Sequence, residues 1–131
     1  RLFNPEWDFA KNQEVYDKCN NPNGHGHNYV LEVTVKGKPN PNTGYVIDLK
    51  KLKDILVNNV LIHLDHKHLN EDVDFLNGVI PTVENIAGII WDIVKPHITD
   101  GELYKLKLYE TPNSWVEYFG EPIEIKRFEN E

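Results

Sequence analysis

The sequence predicts an α+β fold: an antiparallel four-stranded sheet with two helices on one of its faces. Three observations lead there. Alternating apolar and polar residues mark strands near both ends of the chain, and two capped segments of helical period occupy the middle. No βαβ repeat or glycine-rich nucleotide loop interrupts the order strand, strand, helix, helix, strand, strand.

The elements follow in turn. Residues 1–24 (RLFNPEWDFAKNQEVYDKCNNPNG) are rich in Asn, Pro and Gly and read mainly as loop. From Asn28 to Lys38, Tyr29, Leu31, Val33 and Val35 alternate with Asn28, Val30, Glu32, Thr34 and Lys36, which is a strand period. KPNPNTG then turns the chain, and Tyr45–Ile47 is expected to return as a short hairpin strand. Asp48 is a good N-cap for a helix reaching about Ile62, with Leu49, Leu52, Leu56 and Val60 on one face. His63–Gly78 lacks a clear period and reads as loop with short turns. Thr82 caps a second helix through about Lys95, with Ile86, Ile89, Ile90, Ile93 and Val94 as its apolar stripe and Pro96 as a stop. Leu103–Thr111 alternates again, Tyr104, Leu106 and Leu108 opposite Lys105 and Lys107. Ser114–Phe119, bounded by Gly120, is the last strand.

Composition bounds the class. With 131 residues, 40% hydrophobic and 27% charged, the protein makes a single domain spanning 1–131, small enough for oligomerisation to add useful burial. No apolar run is long enough to cross a membrane. The formal net charge is −7 and the lysines are scattered, which argues against a nucleic-acid partner. One Cys excludes an intrachain disulfide and fits a reducing, cytoplasmic compartment. The sequence starts at Arg1 and has no Met, so the natural start is expected upstream.

The residues with chemistry to offer begin at His25-Gly26-His27, at the entrance to the first strand. Side chains at i and i+2 of a strand share a side, so both imidazoles can converge on one ion, with Gly26 clearing the space between. A catalytic zinc takes three protein ligands, so this pair alone is incomplete and equally fits two loop histidines. Cys19 lies six residues before His25, and the intervening Asn-Asn-Pro-Asn-Gly can turn the thiol back toward such an ion, which would favour the thiolate. Taken alone, a single Cys more often packs as a small hydrophobe. In LDHKHLN, Asp65 and His66 fit a proton-exchanging pair or plain loop polarity, while His63 and His68 read as surface residues. Glu110 continues the phase of Leu106 and Leu108; an inward carboxylate needs a partner, and the N–H donors of a guanidine-like edge would serve. Otherwise the strand ends at Tyr109 and Glu110 is solvated. Glu84, in a first helical turn, is explained by the helix dipole alone.

CNNPNGHGHNY (Cys19–Tyr29), LDHKHLN (Leu64–Asn70), PTVEN (Pro81–Asn85) and LYKLKLYET (Leu103–Thr111) resemble, in order, the successive motifs of the 6-pyruvoyl-tetrahydropterin synthase family. The resemblance runs from Arg1 to about Glu121. It implies the tunnelling fold, a four-stranded antiparallel sheet whose trimers close a barrel and pair into hexamers with active sites between subunits. It implies that His25 and His27 bind Zn2+. Cys19 would be the catalytic base, and Asp65 and His66 a proton relay from a neighbouring subunit. Glu110 would anchor the pterin ring, with Thr82 and Glu84 lining the same pocket. The implied reaction turns 7,8-dihydroneopterin triphosphate into 6-pyruvoyl-tetrahydropterin with loss of triphosphate. The family's third zinc ligand is a His just before an Arg-Leu pair; the sequence begins Arg1-Leu2, so that ligand and the first strand are expected upstream. The nearest alternative is 6-carboxy-tetrahydropterin synthase of queuosine biosynthesis, which tends to have fewer residues between Cys and His than the five here. A non-catalytic zinc- or pterin-binding homologue, or a purely structural oligomer, is the alternative from another class.

Overall fold

The alternating segments form an antiparallel sheet of β1 (Val30–Lys36), β2 (Glu102–Thr111) and β3 (Ser114–Tyr118), in the order β1-β2-β3. The computed structural model describes residues 2–16, 29–64 and 74–129. On β2, Leu103, Leu106 and Leu108 are buried, while Lys105 and Lys107 are half-buried on the opposite face. On β1, Tyr29, Leu31 and Val33 pack against the core and Glu32, Thr34 and Lys36 are exposed. Alternation thus sorts the sheet into a core face and a polar face, as period two requires.

Thr82, as expected, caps α4 (Val83–Val94), its side chain accepting from the Asn85 N–H. Ile86, Ile90 and Val94 are buried between this helix and the sheet. Ala87, Gly88 and Trp91 are buried as well, so the helix is covered on more than one stripe. The second cover is the segment after β3: a Cβ at Gly88 would stand 3.2 Å from Ile125 Cδ1 and closer to Ile123. Asp48 caps α2 (Leu49–Leu56), accepting from Lys50 N–H, and the run continues as a π-helical turn (Val57–Leu61) and α3 (Ile62–Leu64). Leu52 and Val60 are buried, but Leu49, placed at the first helical position, is 77% exposed rather than part of the apolar face. A 3-10 turn, Asp74–Leu76, leads back toward α4. No helix among the described residues is long and apolar enough to cross a membrane.

Three further expectations need correction. First, residues 1–24 contain a helix, α1 (Phe9–Tyr16). It has no apolar stripe to betray it. Asp8 accepts from Lys11 N–H, and the buried Asn12 amide donates to the carbonyls of Asn4, Trp7 and Asp8. Side-chain-to-backbone bonds, not burial of an apolar face, define it. Second, Tyr45–Ile47 pairs with no strand, so the sheet has three strands among the described residues instead of four. Asn40 N–H donates to the Tyr45 carbonyl, and the backbone then runs directly into the Asp48 cap; Pro39 and Pro41 bring no donors to a ladder. Third, Tyr104 is not in phase with Leu106 and Leu108. Thr34 faces Lys105 and Val35 faces Leu103, leaving Tyr104 as the extra residue of a bulge, 43% exposed beneath Lys36 Nζ.

Candidate active site

A second bulge lies at the far end of β2. Tyr109 pairs with Trp115 and Thr111 with Ser114, so Glu110 is the extra residue between two paired ones. It is half-buried. Bulges re-aim side chains at sheet ends and beside active sites, and here the extra residue is the carboxylate singled out from the alternation. The bulge, rather than continued alternation with Leu108, sets its position. Across the sheet Val30 pairs with Tyr109, so the backbone enters β1 beside Glu110, with Tyr29 half-buried at that edge.

Thr82 and Glu84 stand at the start of α4, the helix that packs on β2 and β3. Thr82 is half-buried and its hydroxyl oxygen accepts from Asn85 N–H at 3.2 Å, while the Asn85 side chain donates to the Ile80 carbonyl at 2.9 Å. Glu84 is exposed in the first turn, where its charge complements the helix dipole. The capping role of Thr82 is separable from contact with a ligand. Thr82→Ala is expected to lower stability by about 1 kcal/mol and Thr82→Ser to restore most of it. Chemical denaturation of both variants checks this; equal stability of the two would remove the cap from the account.

Cys19, His25, His27, Asp65 and His66 lie outside the described residues, as does His68. Among the described residues no group of three or more His, Cys, Asp or Glu could hold a metal ion. The chemistry of the expected donors does suit zinc: two imidazoles two residues apart, needing one further ligand. His63 is exposed, as expected, with its ring edge-on to Phe75.

The polar face of the sheet is organised by charge. Lys105 and Lys107 each lie 3.9 Å from Glu117, and Lys107 Nζ stands over both Tyr109 and Trp115. Its hydrogen bond to Tyr109, with the nearby charges of Tyr109, Glu32 and Glu117, raises the Lys107 pKa against a smaller opposing effect of desolvation. A shallow depression of about 340 Å³ along α2 is lined by Asp48, Lys50, Lys51, Asp54, Ile55, Asn58 and Asn59. Among the described residues, none of the expected site residues (Thr82, Glu84, Glu110) borders it.

Comparison with known proteins bears on these residues. Residues 5–121 match the family model described as 6-pyruvoyl tetrahydropterin synthase. The human protein named 6-pyruvoyl tetrahydrobiopterin synthase is 45% identical over 121 residues, covering 92% of this chain and 83% of the human one. A Rickettsia felis protein named 6-carboxy-5,6,7,8-tetrahydropterin synthase is 32% identical over 111 residues, covering 71% of this chain and 80% of its own. The solved structure of Caenorhabditis elegans 6-pyruvoyl tetrahydropterin synthase matches with a TM-score of 0.86 at 39% identity, covering 92% of this chain and 86% of that one.

Proposed function

The protein belongs to the 6-pyruvoyl tetrahydropterin synthase family, and from that premise we propose that it converts 7,8-dihydroneopterin triphosphate to 6-pyruvoyl-tetrahydropterin with elimination of triphosphate. The observation that carries the reading is the match over nearly the whole sequence at 45% identity to a protein of that name. It is an enzyme, a lyase acting on a pterin.

In this reading Glu110 accepts the N–H donors of the pterin's 2-amino and ring-nitrogen edge. A carboxylate presents two acceptor oxygens to such an edge, and a position half-removed from water strengthens both bonds. Thr82 and Glu84 line the same pocket from the start of α4. Cys19 takes the proton from the substituent carbon next to the pterin ring, and Asp65 and His66 return protons, His66 exchanging and Asp65 setting its tautomer and charge. His25 and His27, with one further ligand, would hold zinc, whose Lewis acidity makes that C–H bond of the substrate more acidic. His27 is two residues ahead of Tyr29, and Tyr29 enters the sheet at the Glu110 edge; that tether supports placing metal and pterin anchor at one end of the sheet. The protons redistribute within the substrate, so the elimination needs no redox cofactor.

The assembly we propose is a trimer closing a barrel, or two trimers as a hexamer, each subunit contributing its antiparallel sheet. Among the described residues β1 and β3 are the two edges of the sheet, and an open edge strand invites a neighbour. Phe9, Val30 and Ile62 are exposed apolar residues that an interface would cover.

The test is the mass of the product after incubating the zinc-loaded protein with 7,8-dihydroneopterin triphosphate. A pyruvoyl product with free triphosphate is expected. A carboxy product would move the protein to the reaction named for the Rickettsia relative, and unchanged substrate would leave a binding protein. Under the same conditions Glu110→Gln, which keeps shape and removes charge, is expected to lower kcat/KM by about tenfold to a hundredfold, the worth of hydrogen bonds to a charged acceptor. Unchanged kcat/KM would remove Glu110 as the ring anchor.

A further inference from the structure

The family match stops at residue 121, and the segment beyond it folds back across the molecule. Arg127 is the centre of that contact. Its Nη1 donates to the Asn77 carbonyl at 2.9 Å and its Nη2 to the Phe75 carbonyl at 3.0 Å. A guanidinium offers donors in a fixed planar fork, so one side chain can hold two carbonyls of the same turn. The backbone adds to the grip. Phe128 N–H donates to the Gly78 carbonyl at 2.7 Å, and Arg127 pairs with Val79 in an isolated antiparallel bridge. Gly78 has a φ of +77°, and a Cβ there would collide with the Phe128 carbonyl. Only glycine allows both this backbone conformation and so close an approach.

The clamped turn leads directly to the proposed pocket. Val79 N–H donates to the Leu76 carbonyl at 3.0 Å, which ties the bridge to the 3-10 turn. Thr82 N–H donates to the Ile80 carbonyl at 2.8 Å, and the same carbonyl accepts from the Asn85 side chain. Two sets of hydrogen bonds thus meet at the Val79–Ile80 peptide: Arg127 and Phe128 fasten Phe75–Val79, and Ile80 is tied to Thr82 and Asn85, on either side of Glu84. The neighbouring Lys126 reaches Glu6 at 3.0 Å between two exposed side chains and stands 4.8 Å from the centre of the Phe128 ring; both contacts are of small energetic weight and neither touches the Phe75–Val79 turn.

We propose that Arg127 is a positioning residue for substrate binding: its guanidinium clamps the turn Phe75–Val79 and so fixes the start of α4, where Thr82 and Glu84 face the pterin. The inference rests on the pocket assigned to Thr82 and Glu84 above, and it gives the segment after residue 121 a part in the site.

The test uses the full-length protein with Arg127→Ala, Arg127→Lys and Lys126→Ala. Arg127→Ala is expected to raise KM about fivefold while kcat stays within twofold, the pattern of binding lost equally from ground and transition states. Arg127→Lys, able to reach one carbonyl, should recover part of the loss, and Lys126→Ala should leave KM unchanged. Amide hydrogen exchange without substrate should quicken across 75–85 in Arg127→Ala and not in Lys126→Ala. An unchanged KM in Arg127→Ala overturns the proposal, as does an equal rise in Lys126→Ala or faster exchange confined to 122–129. A wild-type protein that leaves the substrate untouched overturns the synthase reading instead; the two failures are told apart because exchange across 75–85 still reports on the clamp.

Discussion

Cys19→Ala is expected to lower the turnover of 7,8-dihydroneopterin triphosphate by about a thousandfold, within the range that one positioned acid–base group contributes to catalysis. The proposed reaction begins by removing a proton from carbon, and alanine offers no lone pair to take it. Zinc content, circular dichroism and affinity for a non-reacting pterin should be unchanged, because Cys19 is assigned to proton transfer and not to the metal or the ring. Cys19→Ser should recover little, since a hydroxyl is a far weaker base than a thiolate at neutral pH. The readout is single-turnover product formation in zinc-loaded protein. If the alanine variant turned over within threefold of the parent, Cys19 would be a packing residue and the base would have to be sought elsewhere, His66 first. If it lost its zinc as well, Cys19 would belong to the metal's coordination.

Leu106→Ala is the substitution expected to cost most in stability. Leu106 is fully buried on the central strand, opposite Val33 on β1 and Tyr118 on β3. It belongs to the core cluster that contains Ile86, Ile90 and Val94 of α4. Neighbours on both flanks and above leave little freedom to collapse onto a void, so the loss should fall in the middle of the Leu→Ala range, about 3 to 4 kcal/mol. For a protein of this length that lowers the melting midpoint by roughly 10 to 15 °C. Urea denaturation at fixed protein concentration measures it, because the midpoint of an assembling protein depends on concentration. Lys105→Ala, one residue away on the other face, should change stability by about 0.5 kcal/mol or less. Similar losses for the two would mean that β2 does not present Leu106 to the core.

Period and capping explain which parts were legible. α4 was readable because Thr82, the Ile spacing and the stop at Pro96 are all local signals, and the structure uses each of them. The N-cap of α2 at Asp48 was readable for the same reason. α1 was not, because the residue that organises it, Asn12, acts through hydrogen bonds to Asn4, Trp7 and Asp8, and no apolar period marks it. Tyr45–Ile47 has strand-like residues, yet strand pairing needs a partner in register, and the tight turn from Asn40 to Tyr45 does not provide one.

The candidate site divides along the same line. Cys19, His25, His27, Asp65, His66 and Glu110 stood out by residue type, spacing and motif order, which belong to the sequence alone. That order also carried the family, which the comparisons bear out. Two features could come only from the tertiary structure. One is the pair of bulges that set Tyr104 and Glu110 out of register on β2, because a bulge is a property of two paired strands and exists only once β1 and β3 are laid against β2. The other is the clamp of Arg127 on Phe75 and Asn77, partners some fifty positions away that no local pattern links. Local chemistry is written in neighbouring residues, whereas register and long-range hydrogen bonds exist only once distant segments are brought side by side.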